Sequence, residues 1–176
     1  MMNTDTLVIT IVLVVLFCLA VVLKGLKPHS KKNNHGSYSA KILLNKSELK
    51  VLKILDETVP SIFGADARVF GQVSYGEFIK GDDPSSQARI NQKRADFVII
   101  NHLAKVICVI EYQGAGHFGR GPKARANAEH RDRVKRAACA GAGYQFVEIP
   151  AKFTIHDVRV ALEKASNLNP AITNNS

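Results

Sequence analysis

The chain has 176 residues, with 24 Lys and Arg against 15 acids, a formal charge of +9 and three cysteines. That length, less an apolar N-terminal stretch and its linker, leaves room for one domain with a real core. The basic excess fits nucleic acid or an anionic membrane face as partner, against the plainer alternative of a soluble basic domain. Cys18, Cys108 and Cys139 form no CxxC pair, which argues against a disulfide framework or a zinc site and for small apolar fillers.

The first element is Leu7–Leu23, 17 residues with Thr10 as the one polar member. As a helix it would rise about 25 Å, slightly short of a ~30 Å hydrocarbon core, with Lys24 and Lys27 able to snorkel. A cleaved signal peptide and a buried core helix compete with a transmembrane helix. The first lacks a preceding cation and a small-x-small cleavage site. Asp5 is the only charged residue before Lys24, so the chain from there on carries +10. The positive-inside rule then predicts a single-pass anchor with the C-terminal domain in the cytoplasm. A basic linker, 26–40, separates this anchor (1–25) from a domain over 41–166, and a polar tail, 167–176, is expected to be disordered.

Leu43–Val59 reads as a helix, with Asn45 or Ser47 as cap, Leu44, Leu49, Leu52, Ile54 and Leu55 as apolar face, and Pro60 and Gly64 as stop signals. Glu48 in its first turn is explained by the helix dipole, or serves as a carboxylate aimed at a metal. Ala67–Val73 reads as a strand, Ser74–Lys80 as a short helix and Gly81–Ala88 as a loop. Asp82 and Asp83 in that loop are metal candidates or, more simply, a solvated turn. Arg89, Lys93 and Arg94 then touch phosphates or merely introduce the next strand.

Two β-branched runs follow, Phe97–Ile100 and Val106–Ile110, separated by the turn-compatible Asn101-His102-Leu103-Ala104-Lys105. This pattern predicts an antiparallel hairpin. With the turn centred between Leu103 and Ala104, residues whose numbers sum to 207 oppose one another. Asp96 and Glu111 would then be cross-strand neighbours with Cβ atoms roughly 5 Å apart, and Gln113 would share Glu111's face. Two opposed carboxylates repel, and a divalent cation between them would remove the penalty. Oxygen ligands suit Mg²⁺ or Mn²⁺ better than zinc. The alternative is that each acid ends a strand in solvent, with Arg94 or Lys93 as partner. A slip of one residue would place the two on opposite faces.

Beyond Gln113 the Gly-rich run to Pro122 lacks the Gly-Lys-Ser/Thr ending of a phosphate loop. His117 within it is a proton carrier near neutral pH or a surface group. Lys123–Ala142 reads as a long helix. Seven basic residues and two acids lie between Arg120 and Arg136, with Arg131 and Lys135 on one face. They make a solvated charged face or a place for phosphates. Tyr144–Ile149 reads as a strand and His156–Ser166 as a short amphipathic helix.

The segments INQKRADFVIINHLAKVICVIEYQGAGH and HRDRVKRAACAGAGYQFVEIP resemble a bacterial family catalogued as domain of unknown function 2726, over roughly Leu43–Pro150. The order helix, strand, strand, strand, helix, strand also resembles the PD-(D/E)XK, restriction-endonuclease-like superfamily. Within it the chain is similar to the very-short-patch repair endonucleases. The resemblance implies an α/β fold, a three-layer αβββαβ core with a mixed central sheet behind the transmembrane helix. It implies Mg²⁺ (or Mn²⁺) held by Asp96 and Glu111, with Glu48 as the helix carboxylate and His117 at the rim. Arg94, Lys123, Arg131 and Lys135 would face phosphates. Gln113 occupies the position of the signature lysine. A glutamine can position a water but cannot transfer a proton, so either Lys135 or Lys123 substitutes in space or cleavage is lost. The implied activity is phosphodiester hydrolysis in nucleic acid, DNA ahead of RNA, at a bacterial inner membrane. An inert nucleic-acid-binding domain and a membrane-surface interaction domain are the alternatives.

Overall fold

The computed structural model describes residue 3 and residues 12–21, 37–114 and 121–168. The chain divides into two compact units, Met1–Ala40 and Lys41–Ser176. In the first, residues 12–21 are helical. Among the described residues no helix is long and apolar enough to cross a membrane. This finding overturns the transmembrane helix expected at Leu7–Leu23. The single-pass placement in an inner membrane falls with it. The ten helical residues described, 12–21, rise about 15 Å, half of a hydrocarbon core. The other positions of the expected span lie outside the described residues.

The second unit runs α1 (Lys46–Phe63), β1 (Arg68–Ser74), a 3-10 turn (Tyr75–Glu77), α2 (Pro84–Asn91), β2 (Arg94–Ile100), β3 (Val106–Gln113), α3 (Pro122–Gly141), β4 (Gln145–Pro150) and α4 (Ile155–Asn167). It is a mixed α/β domain around a four-stranded sheet in the order β1-β2-β3-β4. β1 pairs antiparallel with β2, and β2 with β3, whereas β3 and β4 run parallel. A parallel pair needs a crossover, and α3 supplies it.

Local chemistry sets the element boundaries. Asn45 caps α1 by accepting from the backbone N–H groups of Ser47 and Glu48, and the Glu48 carboxylate accepts the Asn45 N–H at 2.7 Å. This reciprocal box satisfies amides that would otherwise lack partners in the first turn. Pro60, expected to stop the helix, lies inside it. The chain leaves the helix at Gly64, where φ is +103°. The segment expected as a loop over Gly81–Ala88 instead contains the start of α2. Asp83 accepts from the Ser85 and Ser86 amides and Pro84 takes the first helical position. The helix expected over Ser74–Lys80 is reduced to the single 3-10 turn. In the β2–β3 hairpin the Asn101 side chain accepts from the Leu103 and Lys105 amides, and Ala104 adopts a φ of +57°.

Helices cover both faces of the sheet. On one side α1 and α4 contribute Val51, Leu55, Val59, Val158 and Leu162, packed on Phe97, Ile99, Cys108, Ile110 and Ile149. On the other side α2 and α3 contribute Ile90 and Cys139, packed with Tyr75, Ala95, Val98 and Val109. Strands enclosed on both faces explain the unbroken apolar runs of β2 and β3. Cys108 and Cys139 are free, buried thiols, pushed up to about 12 chiefly by burial, so they act as fillers.

Candidate functional site

The hairpin register is the one that the apolar runs predict. Phe97 opposes Ile110, Val98 opposes Val109 and Ile99 opposes Cys108, each pair summing to 207, before an irregularity at Ile99/Ile100 shifts it. Asp96 and Glu111 are the next positions outward, beyond the last paired residues, and Asp96 Oδ2 accepts the Tyr112 backbone N–H at 2.8 Å.

Glu111 is 2% exposed, an ionisable group in the apolar layer between sheet and α3. Its two oxygens have separate donors. The Tyr75 hydroxyl donates to Oε1 at 3.0 Å, and Lys135 Nζ donates to Oε2 at 2.6 Å. Tyr75 is fully buried. Burial and the Glu111 charge push its phenol far above the ordinary range, so it remains a donor. Lys135 reaches in from the middle of α3 with its ammonium 5.8 Å from the Tyr75 ring centroid. Burial pushes Glu111 up to about 7. The Lys135 charge opposes this shift and the Asp96 charge adds to it. A carboxylate that changes charge near neutrality, beside an ammonium and a second carboxylate, is an arrangement typical of reactive sites.

Gln113 lies two residues on and on the same face. Its Nε2 donates to Glu148 Oε1 at 2.7 Å, and Arg136 forms an ion pair with the same oxygen. Glu148 is the parallel-strand neighbour of Glu111. Successive residues of α3, Lys135 and Arg136, thus each pair with a carboxylate on a different strand. Beside them a cleft of about 520 Å³ opens between α3 and the ends of β3 and β4.

These residues fall within the segment 40–165, which matches a family described as a protein of unknown function, DUF2726. The chain belongs to the DUF2726 family. A Haemophilus influenzae relative, named only as an uncharacterized protein, is 38% identical over 128 residues, covering 69% of this chain and 64% of that protein. The uncharacterized protein y4bI of Sinorhizobium fredii is 35% identical over 135 residues, covering 74% of this chain and 90% of that protein. The chain therefore spans less than two thirds of the Haemophilus relative's length. No solved structure matches it.

In this DUF2726 domain the expected site residues separate into groups. Asp96, Glu111, Gln113 and Lys135 gather around the end of β3. Glu48 is tied into the capping box of α1, a helix packed on the other face of the sheet from Glu111. Among the described residues no group of three His, Cys, Asp or Glu side chains is placed to hold a metal ion. Arg131 and Lys123 are exposed on α3, and Arg94 is exposed at the start of β2. Arg131 and Lys135 do not work as one pair, because Lys135 turns inward to Glu111. His117 lies outside the described residues. Tyr75, Arg136 and Glu148 are partners that the sequence reading passed over. Glu148 had a visible signal, as the one acid in an apolar strand with its neighbours Val147 and Ile149 buried. Tyr75 had none, since its partner is 36 positions away.

Asp96 and Glu111 would be the oxygen donors for a divalent cation at this site. Mg²⁺ commonly takes one or two protein carboxylates and completes its shell with water and substrate phosphate, so the chemistry of such a pair suits it without Glu48. Asp96 Oδ2 is committed to the Tyr112 amide, which leaves Oδ1. Glu111 Oε2 is shared with Lys135, whose ammonium would have to yield or move aside.

Proposed function

We propose that the domain is a metal-dependent nuclease of the PD-(D/E)XK kind, hydrolysing phosphodiester bonds in nucleic acid. The observation that carries this reading is the 2.6 Å contact between Lys135 Nζ and Glu111 Oε2. The superfamily signature sets an Asp, an acid and a lysine at one end of a hairpin. This chain has Asp96 and Glu111 but Gln113 where the lysine is expected. Lys135 brings an ammonium to the same acid from α3, so the three charges are together although the linear motif is not.

Each side chain then has a task. Asp96 and Glu111 would hold the cation, which supplies charge neutralisation at the phosphate and a more acidic water. Tyr75 fixes the Glu111 carboxyl from behind, by a hydrogen bond that survives any change at Oε2. Lys135 steadies negative charge on a phosphate oxygen, and its proton donors orient that oxygen. Gln113 is held by Glu148 and places polar groups beside the path of the strand. Arg131 and Lys123, exposed on the same helix, take neighbouring phosphates and make binding salt-sensitive.

The test is the purified full-length protein with single- and double-stranded DNA and RNA, with Mg²⁺ or Mn²⁺ against a chelator control. The expected result is cation-dependent cleavage, abolished in Asp96→Asn and Glu111→Gln and reduced about 100-fold or more in Lys135→Met. Salt-sensitive binding with no cleavage under either cation would replace this reading by an inert nucleic-acid-binding domain of the same fold. Cleavage that persists in all three variants would sink it outright.

A further inference from the structure

The cleft beside Gln113 has a composition that a track for phosphates does not need. Bare phosphate asks only for donors, and Arg133 and Arg136 supply them. Glu148 and the Arg125–Glu129 ion pair also line the cleft and bring carboxylates that repel an anion. The ligand that fits must carry N–H or O–H donors as well as negative charge.

Gln113 gives the same indication independently. Its Nε2 is fixed on Glu148, yet its Oε1 is buried with no hydrogen-bond partner. Turning the amide over would set its oxygen against the Glu148 carboxylate, so the orientation is fixed by its neighbour. A buried carbonyl oxygen without a donor calls for one, and a ligand in the cleft reaches it once the side chains that close it off shift. Glu148 adds to it, because Gln113 and Arg136 both use its Oε1. Arg133 has no ion pair or hydrogen bond among the described residues and is exposed on α3.

We infer that this cleft seats one unpaired nucleotide of the substrate strand. The base edge donates N–H groups to Gln113 Oε1 and Glu148, and the nucleotide's phosphate lies on Arg133. The ligand class rests on the nuclease reading above, and the place follows from it. Gln113 is two residues beyond Glu111 on one face, and Arg136 follows Lys135 on α3. A nucleotide here is the immediate neighbour of a phosphate held at Lys135. A concave site reads a base only when the base leaves its stack and partner, so a blunt duplex cannot fill it. Adenine, cytosine and guanine carry an exocyclic amine for the two acceptors, and thymine and uracil do not. The cleft therefore distinguishes strands by base as well as by pairing.

Binding of short labelled oligonucleotides to the full-length Asp96→Asn protein, followed by fluorescence anisotropy, tests this. Adenine or cytosine single strands are expected to bind about tenfold more tightly than thymine strands and than a blunt duplex. Gln113→Leu should erase the preference over thymine. Glu148→Gln serves the same end if Gln113→Leu does not fold. Arg133→Gln should weaken all single strands alike and leave the base preference. Equal binding of duplex and single strand overturns the inference, as does a base preference untouched by both Gln113→Leu and Glu148→Gln. Cleavage by the wild-type protein without strand or base preference would overturn the cleft assignment and leave the nuclease reading standing. Base-selective binding with no cleavage under either cation would do the reverse.

Discussion

Along β3, Cys108, Ile110 and Tyr112 face α1 and α4, whereas Val109, Glu111 and Gln113 face α3. The first row is apolar to its last member, and Tyr112 ends it edge-on to Phe153 with centroids 5.8 Å apart. The second row begins apolar and turns polar at Glu111 without becoming exposed. The same strand thus has one face that only packs and another that keeps an ionisable group out of water. Burying Glu111 is unfavourable, and the hydrogen bonds from Tyr75 and Lys135 offset that cost only in part, since its carboxyl is still pushed up to about 7. A surface under selection for stability alone would gain from a leucine there. The polar face therefore carries a cost that packing does not account for, and the apolar face holds it in place.

The comparison predicts different responses on the two faces. On the packing face, Phe97 is fully buried among α1 and strand side chains. Phe97→Ala is expected to destabilise by about 3–5 kcal/mol at every pH, read from urea melts. A loss that varied strongly with pH would mean that the two faces are not separable.

On the polar face the response depends on pH. Lys135→Met leaves Glu111 buried without its cation. Above pH 7 this should cost on the order of 2–3 kcal/mol, because the carboxyl must either stay ionised without its ammonium or take up a proton from neutral solution. Near pH 5 the carboxyl is protonated in the folded protein of both variants, so most of the difference should vanish. Equal losses at pH 5 and pH 8 would show that Lys135 matters through packing alone.

Glu111 itself sets a slope. Its folded pKa, about 7, lies above the ordinary value of 4.5, so between those limits the folded state binds more protons than the unfolded state. Stability contributed by this group is present below pH 4.5 and lost as pH rises to about 7. Glu111→Gln abolishes that titration. The stability of the variant relative to wild type should rise by roughly 3 kcal/mol across that window. If Glu111 holds the cation as proposed, the affinity for Mg²⁺ should rise with pH through 7, because the carboxyl must give up its proton to bind. An affinity that is flat across about pH 5–8 would exclude Glu111 as a ligand.

The two faces were also unequally legible in the sequence. The hairpin register could be read because it is local: Asn101 fixes the turn, and period-two alternation does the rest. Glu48 was legible as a cap, since Asn45 and Glu48 have the spacing of a capping box. Its use there rather than at the acids follows from α1 lying on the other sheet face. The start of α2 was also written in Asp83-Pro84, a cap followed by a first-turn proline, but the same residues serve a turn equally well. Hydropathy at the N-terminus suggested a membrane span, whereas among the described residues no helix is long and apolar enough to cross a membrane. The Lys135–Glu111 contact spans 24 positions, and no local pattern decides between Lys123 and Lys135. It depends on how far α3 runs along the sheet before each lysine meets β3, a matter of tertiary geometry.

The smallest expected effect separates the two explanations of Glu48. Asn45→Ala removes the acceptor for two α1 amides, and Glu48→Gln keeps a side-chain oxygen for the Asn45 N–H. If Glu48 serves only the cap, Asn45→Ala should cost about 1 kcal/mol and Glu48→Gln a few tenths, with cleavage by both unchanged. If instead Glu48→Gln depressed cleavage as strongly as Asp96→Asn while leaving the melt unmoved, the carboxylate would have to leave the cap during the reaction. The two faces would then share one site, and the division of labour between them would fail at the helix that most clearly belongs to the packing side.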